Sequence, residues 1–138
     1  MFDPLSYEKG AACLRMIEQF LGEIPFREGI RCYIKRYQFQ NATQENLWAE
    51  LEAASGQPVL TLAQDWFTQP GCPLVTVSTS DPDFRGITLE QRRFRANAPS
   101  PELAPTLWSI PFTLKYGISG ETHLHRLILK DRSTHLSL

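Results

Sequence analysis

Histidine is scarce in this chain, and none precedes His123; the other two are His125 and His135. This excludes a histidine-ligated metal helix or a Ser/His/Asp arrangement from everything before that point. Cysteine is equally sparse. Cys13, Cys32 and Cys72 are an odd number at wide spacing with no C-x-x-C pair, which excludes a disulfide framework and a zinc ribbon. Neither charge dominates: 14 basic and 15 acidic side chains leave a net charge of -1, with no basic surface for nucleic acid. Nor are the halves polarised, with 6 basic and 9 acidic residues in 1–72 and 8 and 6 in 73–138. No apolar run approaches the length of a membrane span, and the N-terminus lacks the basic and apolar regions of a signal peptide. Glycine-rich phosphate loops, internal repeats and low-complexity stretches are also missing. The expectation is a soluble, cytoplasmic chain, and Cys13 and Cys32, among apolar neighbours in helical patterns, read as buried thiols in a reducing compartment.

What is present is 138 residues at 42% apolar composition, enough for one domain or two small ones. The first part carries the three-and-four spacing of amphipathic helices. A helix from near Ser6 presents Gly10, Cys13, Leu14, Ile17, Phe20 and Leu21, and Gly22 stands where a left-handed cap belongs. Pro25 suits the first turn of a second helix, whose apolar face runs through Phe26, Ile30, Tyr33 and Tyr37. Thr43 is a fitting N-cap for a third, with Glu45 in its first turn and Leu47, Trp48, Leu51 and Ala54 as the inward stripe before Ser55-Gly56. Leu62, Ala63, Trp66 and Phe67 mark a fourth, ended by Pro70-Gly71. Short connections imply antiparallel neighbours.

After Gly71 the period changes to two. Residues 73–78 read as a strand, 87–94 as a second with a slip in alternation that suggests a bulge, and 98–105, with three prolines, as a loop. The strand from Trp108 to Tyr116 alternates cleanly, with Pro111 favouring an edge. Residues 121–130 return from the turn at 117–120 as its hairpin partner. The fold class expected is therefore α+β: antiparallel helical hairpins, then a small, incomplete antiparallel β-sandwich.

Several segments point further. Ser6-Tyr7-Glu8-Lys9-Gly10-Ala11, followed by Leu14-Arg15-Met16-Ile17-Glu18, resembles the segment of the aminopeptidase N family of zinc metallopeptidases that carries their tyrosine. Phe26 to Ile34 resembles that family's F-R-x-G-L-x-x-Y-L helix. Asn41 to Trp48 is similar to N-A-T-x-x-D-L-W, with Asn46 in the aspartate place, and Leu51 to Val59 to L-E-x-A-S-G-x-P-V. Trp66 to Val75 resembles the W-T-x-Q-x-G-Y-P-L-V junction, with Cys72 replacing tyrosine. Leu89 to Phe94 and Leu107 to Pro111 look like parts of the small β-sandwich that follows it.

The resemblance implies that residues 1–72 are the helical end of a thermolysin-like catalytic domain and 73–138 the sandwich behind it. It implies zinc as the parent's cofactor, peptides as its substrates and the remaining aminopeptidase domains as its partners. In such enzymes zinc binds a water, a glutamate takes its proton, and the oxyanion formed on the scissile carbonyl is stabilised by zinc and the tyrosine hydroxyl. Tyr7 matches that tyrosine. A phenol suits the task, because it donates one hydrogen bond and is neutral near pH 7. The family's H-E-x-x-H helix and distant glutamate are not found before Tyr7, so the chain is expected to be a fragment with no metal or cofactor ligands, inactive by itself. The alternative is a non-catalytic protein-interaction module or the remnant of a decayed gene, using an unfinished sheet edge and an uncovered helix face as binding surfaces.

Other residues have plainer readings. Glu8 and Lys9 point to different sides of the helix and act at the surface or behind the site. Gly10 reads as permitting close packing, and Asp3 as a carboxylate near the helix start. His123 and His125 share a strand face but lack a third ligand. Arg92, Arg93 and Arg95 read as solvated or interdomain charges, and Trp48, Trp66 and Trp108 as core.

Overall fold

The computed structural model describes residues 4–83, 85–96 and 106–138, with side chains from Tyr7 onward. The proline-rich 98–105 stretch and Asp3 lie outside the described residues. Four helices come first: α1 (Pro4–Leu21), α2 (Glu23–Tyr37), α3 (Gln44–Ser55) and α4 (Val59–Thr68). Five strands follow: β1 (Pro73–Ser78), β2 (Gly86–Arg93), β3 (Ile110–Ile118), β4 (Glu121–Leu129) and β5 (Ser133–Ser137). The class is α+β, as the change of period implies. Among the described residues no helix is long and apolar enough to cross a membrane.

The helical part is built on Ile17, Trp48, Leu51, Val59 and Ala63, all buried, with Phe26, Ile30 and Phe67 packed against them. Local signals set the boundaries. Asn46 Oδ1 accepts from the Thr43 backbone N–H at 2.9 Å, closing the first turn of α3. Gly56 ends that helix in the left-handed conformation (φ 66°), its N–H donating to Glu52 O at 2.8 Å. Gly22 also has positive φ, at 85°, but it opens α2 rather than closing α1 with a left-handed cap.

Three further helical expectations need correction. Cys32 is exposed. The inward face of α2 runs through Phe26, Gly29 and Ile30, and Cys32 lies off that stripe. Ala54 is exposed, whereas Glu50, a charged residue, is buried beside Arg36. The close-approach glycine is Gly29, where an added Cβ would stand 2.9 Å from Leu51 Cα. At Gly10 such a Cβ meets nothing within 4 Å among the described residues.

The strands form two sheets, β1-β2-β5 and β3-β4, antiparallel throughout. They share one core of Ile87, Leu89, Trp108, Ile110 and Leu129, with Val75 and Leu136 packed on it. No bulge interrupts β2, since residues 73–78 pair one to one with 93–88. The apparent slip in alternation arises because the third inward position of β2 is Gln91, a polar side chain only 2% exposed. Trp108 precedes β3 rather than starting it, and β5 was not expected from the pattern of residues 133–137. Pro111 lies in the two-stranded sheet, where a strand has one free edge.

Candidate functional site

Tyr7 stands in the first turns of α1, with 60% of its surface exposed. Two residues on, Lys9 is half-buried and donates to the carbonyls of Gln69 at 3.3 Å and Gly71 at 3.5 Å. That pair of contacts ties the start of α1 to the turn between α4 and β1, so the orientation of the tyrosine-bearing turn is coupled to the junction. Gly71 makes the turn with φ 93°. Arg93 lies over it, its Nε 3.0 Å from where a Cβ would be. Glu8 is exposed, consistent with a surface role.

Behind the junction, the residues leading into β3 are held by polar contacts that no periodicity reveals. Asp65 Oδ2 accepts from the Ser109 N–H at 2.8 Å, Trp66 Nε1 donates to Ser109 O at 3.0 Å, and Gln69 Nε2 donates to Leu107 O at 3.1 Å. From the other side, Gln91 Nε2 donates to Trp108 O at 3.0 Å and Asp131 O at 3.1 Å, while Gln91 Oε1 accepts from Trp108 N at 2.9 Å. Residues 107–109 are thus fastened to α4 and to β2 together. Trp66 is therefore a half-buried bridge from the helices to the strands, whereas Trp48 and Trp108 are core. A Gln in an otherwise apolar inward series was the one sequence signal for this clamp.

The histidines do not converge on a metal site. His123 stacks on Tyr116 across the hairpin with ring centroids 5.3 Å apart, and exposed His125 pairs with Leu114. His135, on β5, places Nδ1 3.4 Å from Thr88 Oγ1. Among the described residues no group of three or more His, Cys, Asp and Glu is placed to hold a metal. The described residues therefore do not fit a zinc ion. Burial pushes the Cys13 thiol pKa up, partly opposed by the Lys9 ammonium.

The exposed tyrosine turn, its tie to the junction and the helix-then-sandwich order can be set beside known proteins. Residues 1–66 match the model described as "Peptidase family M1 domain". The chain is 38% identical over 132 residues to "Aminopeptidase M1-C" of Oryza sativa subsp. japonica, and 38% over 134 residues to "Leucyl aminopeptidase" of Saccharolobus solfataricus. The chain belongs to the M1 peptidase family. These alignments cover 96% and 97% of this chain but only 14% and 16% of those relatives. The fold agrees with the crystal structure of Legionella pneumophila aminopeptidase A, described in complex with aspartic acid. Its TM-score is 0.71 at 22% identity, covering 99% of this chain and 15% of that one. The M1 likeness thus extends through the strands as well as the helices.

Proposed function

We propose that this chain is part of a zinc-dependent aminopeptidase that removes N-terminal residues from peptides, and that Tyr7 is its transition-state-stabilising residue. The observation that carries this reading is the S-Y-E-K-G-A turn, with Tyr7 exposed at the start of α1, in a chain of M1 relationship whose named relatives are aminopeptidases. Residues 1–72 form the helical end of the catalytic domain and 73–138 the sandwich that follows, with the boundary at the Gly71-Cys72 turn. The phenol of Tyr7 donates a hydrogen bond to the oxygen that becomes negative as the scissile carbonyl is attacked. Such a bond strengthens as charge develops, so it lowers the barrier rather than tightening substrate binding. The Lys9 ties to Gln69 and Gly71 hold the turn that presents the phenol.

Zinc and the substrate amine are bound by residues outside this chain, and the isolated 138 residues have no turnover. The test begins with sequencing the reading frame around the Met1 codon. An in-frame H-E-x-x-H with a downstream glutamate is expected. In the protein so defined, Tyr7→Phe should lower kcat by about 100-fold or more, with KM changed little and the circular dichroism spectrum unchanged. A variant retaining kcat within about tenfold would refute the role of Tyr7. Chelator-sensitive peptidase activity in the isolated chain would refute its dependence on outside residues.

A further inference from the structure

Among the described residues, β1 has a neighbouring strand on one side only, and the register shows which of its backbone groups that leaves over. Just before the strand begins, the Phe94 N–H donates to Cys72 O at 2.8 Å, so Cys72 and Phe94 are a hydrogen-bonded pair. In an antiparallel ladder such pairs recur at every second residue. The pairs bonded to β2 are therefore Leu74 with Arg92, Thr76 with Glu90 and Ser78 with Thr88. The N–H and C=O groups of Val75 and Val77 point the other way, to the open side. Proteins blunt such edges with charge, proline or a bulge. Strand β3 carries Pro111 and Lys115, and β4 carries Arg126. Strand β1 has no charged side chain and no bulge, and it is exposed from Thr76 to Ser78.

This edge is complementary to itself. A two-fold axis at Thr76 sets Val75 of one copy opposite Val77 of a second, and each such pair exchanges both N–H···O bonds. Val75 packs on the sandwich core, so Thr76 lies on the opposite, exposed face and meets its own counterpart there, a favourable cross-strand pair. Charge agrees with that direction. The start of β1 lies beside Arg92 and Arg93, and its end leads into Asp81 and Asp83, the latter paired with Arg85. Antiparallel docking brings the basic end of each copy toward the acidic end of the other and puts no charge at the axis.

We propose that β1 is a homotypic docking edge, by which two copies of this chain join antiparallel about Thr76. The three strands of one sheet then run on into the three of the other. An edge-to-edge contact is small, so the dimer is weak and dissociates on dilution. The aminopeptidase reading plays no part in this inference.

The test is sedimentation of the full chain in reducing buffer over about a hundredfold range of concentration, where a monomer–dimer equilibrium is expected. Thr76→Lys sets two ammonium groups face to face at the axis and should weaken the dimer by about tenfold or more. Because the position is exposed, its circular dichroism spectrum should match wild type. Val77→Pro removes an N–H that β2 does not use and should weaken the dimer likewise. Register is read by cross-linking in a chain carrying Cys32→Ser and Cys72→Ser, both at exposed positions. Under mild oxidation Thr76→Cys should give an intermolecular disulfide, since the axis brings the two Cα atoms to about 4.5 Å. Ser78→Cys, on the same face but opposite Leu74 of the second copy, should not. A monomer at every concentration, a dimer untouched by Thr76→Lys and Val77→Pro, or equal cross-linking at 76 and 78 would each overturn the proposal.

Discussion

Replacing Gln91 by leucine should destabilise the protein by about 3 kcal/mol, even though it places an apolar side chain in an apolar core. Gln91 is 2% exposed, and its amide makes three bonds of 2.9 to 3.1 Å to backbone groups of Trp108 and Asp131. Leucine has nearly the same volume, so the cavity cost is small. What it leaves unpaired is the buried N–H and carbonyl of Trp108 and the part-buried carbonyl of Asp131. An unsatisfied buried donor costs roughly 1–3 kcal/mol, and the two carbonyls add about as much again between them. The better transfer energy of leucine offsets about 1–2 kcal/mol of that sum. The net loss lowers the thermal midpoint by about 10 °C. It is measured by urea unfolding followed through tryptophan fluorescence.

Gln91→Glu sharpens the test. The introduced carboxyl can still accept from Trp108 N–H, but as a carboxylate it faces two carbonyl oxygens. Its folded pKa is therefore raised above that of the unfolded chain, about 4.3. A raised pKa gives a contribution present below the unfolded value and lost as pH rises through the folded one. The deficit of this variant against wild type should accordingly grow from about pH 4 to about pH 7. A Leu variant within about 1 kcal/mol of wild type, or a Glu variant with no pH trend, would refute the role given to the amide.

Gly29→Ala should cost about 2 kcal/mol or more, since the new Cβ would stand 2.9 Å from Leu51 Cα and 3.2 Å from Glu50 O, backbone atoms that cannot rotate away. Gly10→Ala, with open space around it and a helical backbone, should instead stabilise by about 0.5–1 kcal/mol. Thermal midpoints of the two variants moving the same way would contradict this difference. The Glu45 carboxyl is held below its ordinary pKa, first by the Thr43 side chain and then by hydrogen bonds from its own backbone and Gln44. A depressed pKa means a contribution present above the unfolded value and lost as pH falls through the folded one. Glu45→Gln should therefore flatten the acid limb of stability against pH, which titration of the unfolding midpoint from about pH 6 to about pH 3 would reveal.

The helices were legible because each carries its own punctuation. Thr43 with Asn46, Ser55-Gly56 and Pro70-Gly71 stop or start a turn through bonds only a few residues long. The hairpin of β3 and β4 was legible for the same reason, with its partner one turn away. Strand β5 was not, because it is short and pairs with β2 across more than forty residues. Strand β2 has no bulge although its polarity pattern slips, because Gln91 is polar yet points inward. Cys32 is exposed despite its apolar neighbours, because neighbours along the chain do not fix which side of α2 meets α3.

In the candidate site, Tyr7 was singled out by the motif around it, and its exposed place at the start of α1 is compatible with that role. The sequence by itself determined the α+β order, the family and the tyrosine turn, since these rest on local periodicity and on residues in an ordered string. Only the tertiary structure decided which glycine is crowded and that Gln91 and Asp65 clamp the start of β3. Each of those depends on two segments distant in the chain meeting at a given angle and register. Such meetings follow from the packing of whole elements, which leaves no periodic trace at the residues that touch.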